Sequence, residues 1–437
     1  MTQPLKIGLA GLGTVGTGVL QLLETNTDLV AARAGRPIEV VAVSARDRNR
    51  DRGVDLSAYD WVDDMAALAD RDDVDLVVEL VGGSDGPALA LARRTLSSGK
   101  GFVTANKAMV AHHGMELAEV ADGTGAALKF EAAVAGGIPI VKGLREGAAA
   151  NAVERIYGIL NGTANYILSA MESTGADFAA TLKDAQELGY AEADPAFDIE
   201  GVDAAHKLAI LACIAFGSRI DFPAVACEGI AHIRAADIAQ ADALGYVIRL
   251  IAMADMEAAK SGKRALLQEV KPCLVPKSHP LAHVTGATNA VVAEGNFSGR
   301  LLFQGAGAGE GPTASAVVAD VIDIARGGVG RAPFSVPYEA MAEIGPADAG
   351  YRIGRTYLRF AVADRPGVLA EITAALRDAE VSIESLIQKG RAVDGGEVLV
   401  AMVTHEGPQS SVAKAVELLA HSESLTAPPL AMKILDN

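Results

Sequence analysis

The sequence has few of the residues that characterise disulfide-bonded or membrane-spanning proteins. Three of its 437 residues are cysteines, Cys213, Cys227 and Cys273. Their odd number and wide spacing fit neither a disulfide framework nor a zinc cluster. The longest fully apolar run, 208–216, is too short to cross a bilayer. We therefore expect reduced, mostly buried thiols and no membrane partner.

Basic residues are also in deficit. The chain has 38 Lys and Arg residues against 55 Asp and Glu, a formal net charge of −17 at pH 7. This charge repels phosphate backbones and leaves no basic stripe, so we expect no nucleic-acid partner. Met1 leads directly into a strand-like segment without a signal-peptide cleavage site, which predicts a cytoplasmic protein. Hydrophobic residues make up 50% of the chain, enough for several cores.

Three patterns follow one another along the chain, as its length suggests. Residues 1–142 alternate short β-rich runs with helical patterns, which is typical of a Rossmann-type, doubly wound α/β sheet. Residues 143–304 predict an α+β substrate-binding domain with helices to about residue 250 and strands after them. A Gly-rich segment and a helical pattern predict a return to the first domain over about 305–340. The tail, 355–437, has the βαββαβ order of a ferredoxin-like unit.

The first strand-like run ends in a Gly-x-Gly-x-x-Gly turn. Gly11 permits the tight turn, Gly13 lets the backbone approach a pyrophosphate, and Gly16 lets the next helix lie close to the strand. The free N–H groups at the helix N-terminus, around Thr14 and Val15, then face the phosphates. Because strand, turn and helix fall in register, we predict dinucleotide binding. The alternative is a purely structural glycine turn.

The residues after the second strand bear on the type of dinucleotide. NAD-binding proteins carry an acidic residue there for the ribose hydroxyl, whereas this chain has Ser44, Ala45 and Arg46. An arginine can pair with a 2′-phosphate, which favours NADP and leaves NAD open as a second cofactor. The alternative is that Arg46 is an ordinary solvated residue beside the charged run 47–52.

Two lysines occupy positions suited to proton transfer. Reduction of an aldehyde by hydride leaves an alkoxide that needs a proton, and partial desolvation lowers the pKa of a lysine toward the working range. Lys107 follows Thr104 at the end of a predicted parallel strand, where open α/β sheets bind ligands. Lys207 lies four residues after Asp203, so both share one helix face. The alternative is an exposed ion pair, but the apolar run after Lys207 predicts a buried helix.

A carboxylate-rich segment, 187–198, precedes that helix. Its acidic side chains could bind a cationic amino group of a substrate, or they could simply coat a solvent-exposed loop, which is the default in so acidic a chain. His206 adjoins Lys207 but points about 100° away on the helix. We therefore expect His206 to be a packing residue.

Six segments in this order resemble the homoserine dehydrogenase family, and the resemblance covers essentially the whole chain. They are Gly-Leu-Gly-Thr-Val-Gly at 11–16, Thr-Ala-Asn-Lys at 104–107, Glu-Ala-Ala-Val-Ala-Gly-Gly-Ile-Pro at 131–139, Gly-Ile-Leu-Asn-Gly-Thr-Ala-Asn-Tyr at 158–166, 198–207, and Gly-Ala-Gly-Ala-Gly at 305–309 with Pro-Thr-Ala-Ser-Ala at 312–316. The resemblance implies reversible NAD(P)H-dependent reduction of L-aspartate 4-semialdehyde to L-homoserine, a step toward threonine and methionine. It also implies a homodimer or homotetramer, with the middle domain serving in dimerisation.

The resemblance assigns roles to particular residues. The lysine matching Lys207 is the proton donor, and the one matching Lys107 lies at the junction of nicotinamide and substrate. Residues implied to bind or orient the substrate are Glu192, Asp198, Asp203, Thr163 and Tyr190. Residues implied on the cofactor side are Thr104, Gly162 and Gly309.

The resemblance further implies a monovalent cation, usually sodium, bound by backbone carbonyls. The residues implied are Glu131, Val134, Gly136 and Ile138. Hard cations accept such oxygen ligands. The alternative is an ordinary Gly-Gly turn.

The tail resembles an ACT domain, an amino-acid-sensing module, through Val-Ala-Asp-Arg-Pro-Gly-Val-Leu-Ala-Glu-Ile at 362–372. Asp364 and Gly367 lie at a strand-to-helix turn, where backbone N–H groups could take the carboxylate of an amino acid. The family implies threonine as a feedback inhibitor. The alternative is a module that only supports assembly.

Two rival functions stay open. An acylating aspartate-semialdehyde dehydrogenase shares the dinucleotide turn but needs a cysteine nucleophile. Cys213 falls in the apolar helix, and the other two cysteines lack a recognisable partner. A non-catalytic NAD(P)-binding amino-acid sensor would suit the tail, but both lysines argue against it.

Overall fold

The structure is a computed structural model that describes residues 3–258, 264–327, 332–388 and 397–436. The predicted domains also contain 1–2, 259–263, 328–331, 389–396 and 437, which lie outside the described residues. None of the described helices is both long and apolar enough to cross a membrane.

The N-terminal part is a parallel sheet between two layers of helices. Its elements are β1 (Leu5–Ala10), α1 (Thr14–Thr25), α2 (Thr27–Ala34), β2 (Ile38–Ser44), β3 (Asp60–Trp61), β4 (Leu76–Glu79), α3 (Pro87–Ser97), β5 (Gly101–Thr104), α4 (Lys107–Thr124) and β6 (Leu128–Lys129). The strands are all parallel, in the order β3-β2-β1-β4-β5-β6. Every residue of β4 is buried, as expected of a central strand covered on both faces. The predicted Rossmann-type fold is confirmed.

The middle part is an antiparallel sheet covered by helices. Its elements are α5 (Ile140–Lys142), β7 (Val153–Ile159), α6 (Gly162–Thr174), α7 (Phe178–Glu187), α8 (Ala196–Ile199), α9 (Val202–Phe216), β8 (Ala226–Cys227), α10 (Ala235–Ala243), β9 (Tyr246–Ala258), β10 (Arg264–Pro276), β11 (Thr288–Gly295) and β12 (Gly299–Ala306). The main strands run β12-β11-β7-β9-β10. Helix α9 packs against β7, β9, β10 and α4 and is buried along nearly its whole length, which explains its apolar sequence.

The helical region of the middle part ends earlier than the sequence pattern predicts. We expected helices to about residue 250, but α10 ends at Ala243 and β9 begins at Tyr246. Gly245 has a φ of 87°, a conformation that terminates helices. The β-branched Val247 and Ile248 then favour the strand.

The chain returns to the first sheet at α11 (Glu310–Ala325). This helix packs against α1 and α2. Its buried residues Ala314, Val317 and Val321 join the hydrophobic cluster formed by β1, β4 and α1. The return brings the Gly-rich segment before α11 close to the dinucleotide turn.

The tail forms a four-stranded antiparallel sheet with two helices on one face. Its elements are β13 (Ile353–Gly354), β14 (Thr356–Ala363), α12 (Val368–Asp378), β15 (Ile383–Gln388), β16 (Glu397–Thr404), β17 (Gly407–Pro408), α13 (Gln409–Leu419) and β18 (Leu430–Ile434). The order β18-β14-β16-β15 is that of a ferredoxin-like unit, so this prediction is confirmed.

The tail is joined to the middle part by both strand pairing and side chains. Strand β18 pairs in parallel with β10, so the two sheets are continuous. On the face opposite α12 and α13, Arg359 Nε donates to Asp237 Oδ1 of α10 (2.9 Å), and Tyr357 donates to Gln240 (2.8 Å). Arg359 and Asp237 are both buried, which makes this a desolvated ion pair rather than a surface contact.

Candidate active site

The three glycines of the dinucleotide turn each meet a different constraint. Gly11 has a φ of 101°, and a Cβ there would lie 2.6 Å from the carbonyl oxygen of Leu80. A Cβ on Gly16 would collide with the carbonyl oxygen of Gly11, whereas one on Gly13 would meet nothing within 4 Å. Gly13 is also the N-cap of α1, where no side chain caps the first turn. The turn therefore leaves an open surface of N–H groups suited to a pyrophosphate.

Arg46 lies beyond the end of β2 and is exposed. It makes no hydrogen bond or ion pair with the described part of the chain, so its guanidinium is free for a ligand. Nearby, Arg52 donates to the carbonyl oxygen of Leu12 (3.1 Å) and lies 5.7 Å from the ring centre of Trp61. The charged run that follows Arg46 is thus tethered to the glycine turn.

A buried glutamate that the sequence reasoning missed organises the neighbouring strand ends. Glu79, the last residue of β4, accepts the hydroxyl of Thr104 (2.6 Å) on β5 and the amides of Val81 (2.7 Å) and Gly82 (2.9 Å). The hydroxyl of Thr104 in turn accepts the amide of Asn106 (2.9 Å). Thr104 is fully buried. Through Glu79 and the amide of Asn106 it fixes the loops that follow β4 and β5. A charged residue ending a buried apolar strand is the signal that could have revealed Glu79.

A cleft of about 790 Å³ lies between the N-terminal part and the middle part of the chain. It brings together nine of the residues singled out in the sequence: Val15, Lys107, Gly162, Thr163, Tyr190, Asp198, Asp203, Lys207 and Gly309. These residues come from α1, the start of α4, the start of α6, the 188–198 segment, α9 and the loop before α11. The volume is in the range of small-molecule sites.

The two lysines share one carboxylate. Lys207 Nζ lies 2.8 Å from Asp203 Oδ2, and Lys107 Nζ lies 3.0 Å from Asp203 Oδ1. Lys207 also donates to the carbonyl oxygen of Leu160 (2.7 Å). Since an ammonium group has three hydrogens, one remains for a ligand in the cleft. The pair of Asp203 and Lys207 is buried, so the alternative of an exposed ion pair does not hold.

The charge state of Asp203 follows from these contacts. Burial by itself would raise the pKa of Asp203. The ammonium groups of Lys207 and Lys107, together with hydrogen bonds from Lys207 and Asn161, lower the pKa by more than burial raises it. The net result is a pKa well below the usual range. Asp203 is therefore an anion at any working pH, and it compensates the charge of both lysines.

Asn161 was not among the predicted site residues. Its Nδ2 donates to Asp198 Oδ1 (2.7 Å) and Asp203 Oδ2 (2.9 Å), and its Oδ1 accepts the amide of Ala164 (2.7 Å) as the N-cap of α6. An asparagine directly before a helical pattern is the local signal for the cap. Nothing local indicates the two carboxylates, which lie 37 and 42 residues away.

Only some residues of the carboxylate-rich segment 187–198 line the cleft. Thr163 donates to the carbonyl oxygen of Tyr190 (2.9 Å), and the ring of Tyr190 stacks on Tyr166 at 4.2 Å. Glu192, by contrast, is exposed and is not part of the cleft wall. The side chain of Phe197 is half exposed and lies 5.7 Å from Lys107 Nζ, measured from the ring centre.

Comparison with known proteins identifies the family. The family model for homoserine dehydrogenase matches residues 139–322, the one for the homoserine dehydrogenase NAD-binding domain matches 11–131, and the one for the ACT domain matches 356–420. A homoserine dehydrogenase of Corynebacterium glutamicum is 45% identical over 416 residues, which cover 94% of this chain and 92% of that protein. The chain belongs to the homoserine dehydrogenase family.

Solved structures of homoserine dehydrogenases have the same fold. The structure from Thiobacillus denitrificans matches with a TM-score of 0.91 and 40% identity, covering 99% of each chain. A hyperthermophilic archaeal homoserine dehydrogenase in complex with NADPH matches with a TM-score of 0.61 and 25% identity, covering 74% of this chain and 97% of that one. The chain is thus a homoserine dehydrogenase, an NAD(P)-dependent oxidoreductase, with a C-terminal ACT domain. The predictions of family, fold class and enzyme class are confirmed.

The thiols and His206 have no catalytic setting in this homoserine dehydrogenase. Cys213 and Cys273 are buried and Cys227 is exposed. Burial raises the pKa of the thiols of Cys213 and Cys273, and none of the three cysteines lines the cleft that the described residues form. A cysteine nucleophile, which the acylating alternative requires, is therefore unsupported. His206 stacks on Phe222 at 4.4 Å, and burial lowers its pKa to about 4, in keeping with a packing residue.

The loop predicted to bind a cation is buried next to the cleft of the homoserine dehydrogenase. The carbonyl oxygens of Val134 and Gly136 accept no hydrogen bond from the described part of the chain, although both residues are buried. Ala135 between them has a φ of 51°, which is uncommon for a residue other than glycine. Buried carbonyl oxygens without donors are the ligands that a hard cation prefers.

The ends of this loop are held by other contacts. The carbonyl oxygens of Glu131 and Ile138 accept the amides of Val134 (3.3 Å) and Ile140 (2.7 Å). The carboxylate of Glu131 accepts the amides at the start of α5, and burial together with the charge of Asp320 raises its pKa to about 7. No group of three or more His, Cys, Asp or Glu side chains that could hold a metal ion occurs in the described ranges. A cation at this loop would therefore depend on carbonyl oxygens.

Proposed function

We propose that the cleft catalyses the reversible NADP(H)-dependent interconversion of L-aspartate 4-semialdehyde and L-homoserine with Lys207 as the proton donor. The observation that carries this assignment is the geometry of Lys207, which is buried and fixed by two acceptors. Its remaining N–H bond is directed away from those acceptors and is free for an oxygen atom in the cleft. Asp203, Asp198, Lys107, Thr163 and Tyr190 line the same cleft.

A nicotinamide cofactor, when bound, supplies a hydride to the aldehyde carbon or removes one from the alcohol. In the reducing direction the carbonyl oxygen becomes an alkoxide as the C–H bond forms. Lys207 donates a proton from Nζ to that oxygen, and the neutral amine is then reprotonated from solvent through the cleft. In the oxidising direction the same amine accepts the hydroxyl proton. Positioned general acids of this kind contribute about 10²- to 10⁴-fold in rate.

The carboxylates of the cleft suit the other end of the substrate. Both substrates carry an α-ammonium group, and Asp198 and Asp203 offer adjacent anionic oxygens. Lys107 supplies a positive charge next to Asp203, at the start of α4, where it suits the substrate carboxylate or the cofactor–substrate junction. We assign Thr163 and Tyr190 to the wall beside the substrate. Glu192 requires a movement of its segment to reach the cleft.

NADP is the cofactor that the residues at the end of β2 favour. The free guanidinium of Arg46 and the absence of an acidic residue at 44–46 support recognition of a 2′-phosphate. The NADPH complex of the archaeal relative supports the same choice. The pyrophosphate would lie over Gly13 and the first turn of α1, with Gly162 and Gly309 at the nicotinamide end.

We further propose a monovalent cation, of the sodium type, at the loop of Val134 and Gly136, with Glu131 and Ile138 at its ends. The carbonyl oxygens of Val134 and Gly136, two buried residues, accept no hydrogen bond from the described part of the chain, which supports this site. Such a cation would stiffen the loop that lies between α11 and the cleft. We also propose that threonine binds at the ACT domain, near Asp364 and Gly367, and that the enzyme acts as a homodimer or homotetramer.

The activity is tested by the absorbance of the reduced nicotinamide. Purified protein is mixed with L-homoserine and NADP or NAD, and separately with L-aspartate 4-semialdehyde and NADPH or NADH. We expect turnover in both directions and a higher kcat/KM with the phosphorylated cofactor. Arg46→Ala should raise KM for NADPH by about tenfold and leave KM for NADH unchanged, because one charge-assisted phosphate contact is lost. A strong preference for NADH in the unsubstituted enzyme would contradict the cofactor assignment.

A further inference from the structure

Asn161 occupies the point at which three parts of the cleft meet. It follows β7, caps α6, and lies between Asp198 of α8 and Asp203 of α9. Only 3% of its surface is exposed. Its three hydrogen bonds therefore hold three separate helices in one arrangement.

The chemistry of the carboxamide leaves no choice in how these bonds are directed. The amide of Ala164 must meet an acceptor, so Oδ1 faces α6. Nδ2 then directs its two hydrogens at Asp198 and Asp203. Because an amide nitrogen can only donate, both carboxyl groups present an acceptor oxygen to the same nitrogen atom.

Asp203 Oδ2 is also the oxygen that receives Lys207. Asn161 Nδ2 and Lys207 Nζ approach the same atom at 2.9 and 2.8 Å. The position of this oxygen sets the direction of the remaining N–H bond of Lys207. A shift of Asp203 therefore moves the proton donor, even though Asn161 itself does not touch Lys207.

We propose that Asn161 is a positioning residue that joins the carboxyl groups of Asp198 and Asp203 into one site for the substrate ammonium group and fixes the direction of the Lys207 proton. This inference rests on the proposed function, since it presumes that Lys207 is the proton donor. It adds a residue to the reaction that acts through two carboxylates and a lysine. Its contribution is separate from the capping of α6, which uses the other end of the side chain.

Substitution can test the role of Nδ2 separately from the role of Oδ1. Asn161→Asp keeps the acceptor for Ala164, since aspartate is as good an N-cap as asparagine, but replaces both N–H donors by a third carboxylate. Burial beside two anions raises the pKa of the introduced carboxyl group, so it takes up a proton as the pH falls. A protonated carboxyl group can donate to Asp203 again. The deficit of this variant should therefore depend on pH.

The experiment measures kcat/KM for reduction of L-aspartate 4-semialdehyde by NADPH between pH 6 and 8.5, with each value divided by that of the parent enzyme at the same pH. We expect Asn161→Asp to lose about 100-fold at pH 8.5, because hydrogen bonds to charged groups are removed, and to recover about tenfold toward pH 6. The dissociation constant for NADP should stay unchanged. A relative kcat/KM near that of the parent throughout, or a deficit equal at every pH, would overturn the proposal.

Two further variants keep the test decisive. Asn151→Asp is the matched control, because its Oδ1 also accepts a backbone amide, from Ser298, and its Nδ2 donates only to the carbonyl oxygen of Ala148, away from the cleft. It should retain the parent activity and pH profile. If Asn161→Asp does not fold, Asn161→Ser keeps a cap but is too short to reach the carboxylates. It should lose kcat/KM at every pH while melting near the parent temperature, and parent-level activity would overturn the proposal.

The parent enzyme separates this inference from the proposed function. Turnover by the parent together with normal kinetics of Asn161→Asp refutes the role of Asn161 alone. Absence of turnover by the folded parent with either substrate refutes the proposed function, and the role of Asn161 with it.

Discussion

Replacement of Lys207 by methionine tests the centre of the proposed mechanism. Methionine keeps most of the aliphatic stem of the side chain but removes the ammonium group, so the substrate oxygen loses its proton donor. Asp203 keeps the hydrogen bond from Asn161 and the ion pair with Lys107. The buried carboxylate is therefore not left without partners, and the variant should fold.

The expected magnitude follows from these contacts. Loss of a general acid costs about 10²- to 10⁴-fold in kcat, which corresponds to about 3–5 kcal/mol in the barrier. Breaking a buried ion pair usually destabilises a protein by about 3–5 kcal/mol. Because Asp203 retains two of its three side-chain partners, we expect a smaller loss here, about 1–2 kcal/mol.

The assay combines kinetics with cofactor binding. Initial rates are measured from the absorbance of NADPH with L-aspartate 4-semialdehyde, and binding of NADP is measured by calorimetry. Lys183→Met is the matched control, because Lys183 forms an exposed i,i+4 pair with Glu187 at 3.7 Å in α7. Such surface pairs contribute little, so this control should keep full activity. If Lys207→Met retained nearly the parent rate with saturating cofactor, Lys207 would not be the proton donor.

Three more predictions concern the turn, a buried histidine and the ACT domain. Gly13→Ala should leave the unfolding free energy within about 1 kcal/mol of the parent but weaken NADP binding about tenfold or more, whereas Gly16→Ala should destabilise the fold itself; equal melting temperatures for the two would contradict this. Burial lowers the pKa of His279 to about 4, so the unfolded state binds a proton that the native state excludes, and stability present above pH 6.5 is lost as the pH falls toward 4. His279→Asn keeps the acceptor for the amide of Leu281. Between pH 7.5 and 5.5 the unfolding free energy of this variant, measured in urea, should fall by about 1 kcal/mol less than that of the parent; an unchanged pH dependence would refute this. Arg359→Met leaves Asp237 buried without its ion-pair partner and should destabilise the junction of the ACT domain by about 3 kcal/mol, seen in thermal melting; an unchanged melting curve would show that the pair does not hold the junction.

Much of the fold followed from local patterns. The glycine turn could be predicted because its constraints, a positive φ at Gly11 and close packing at Gly16, act within a few residues. The α/β alternation of the first domain and the ferredoxin-like order of the tail could be predicted for a similar reason, since β-rich runs and helical periodicity are local properties. The end of the helical region near Gly245 was missed because helical and strand-like apolar runs are hard to tell apart without the turn between them.

Local patterns did not predict the long-range contacts of the candidate site. Asp203 and Lys207 could be paired from their spacing on one helix, but their shared contact with Lys107 depends on how α4 packs against α9. Asn161 and Glu79 were missed because their partners lie far away in the sequence. The sequence could not distinguish Glu192 from Asp198 in the acidic segment. Only the folded position of that segment shows that Asp198 lines the cleft and Glu192 does not.

The sequence by itself determined much of the order of elements, the dinucleotide turn and a set of candidate site residues. Tertiary structure decided which carboxylate serves two lysines, which carbonyl oxygens of the loop at Val134 and Gly136 lack donors, and how β18 extends the sheet of the middle part. The reason is physical. Backbone conformation and side-chain periodicity depend on adjacent residues, whereas burial, charge compensation and hydrogen-bond pairing depend on which distant segments the packed core brings together.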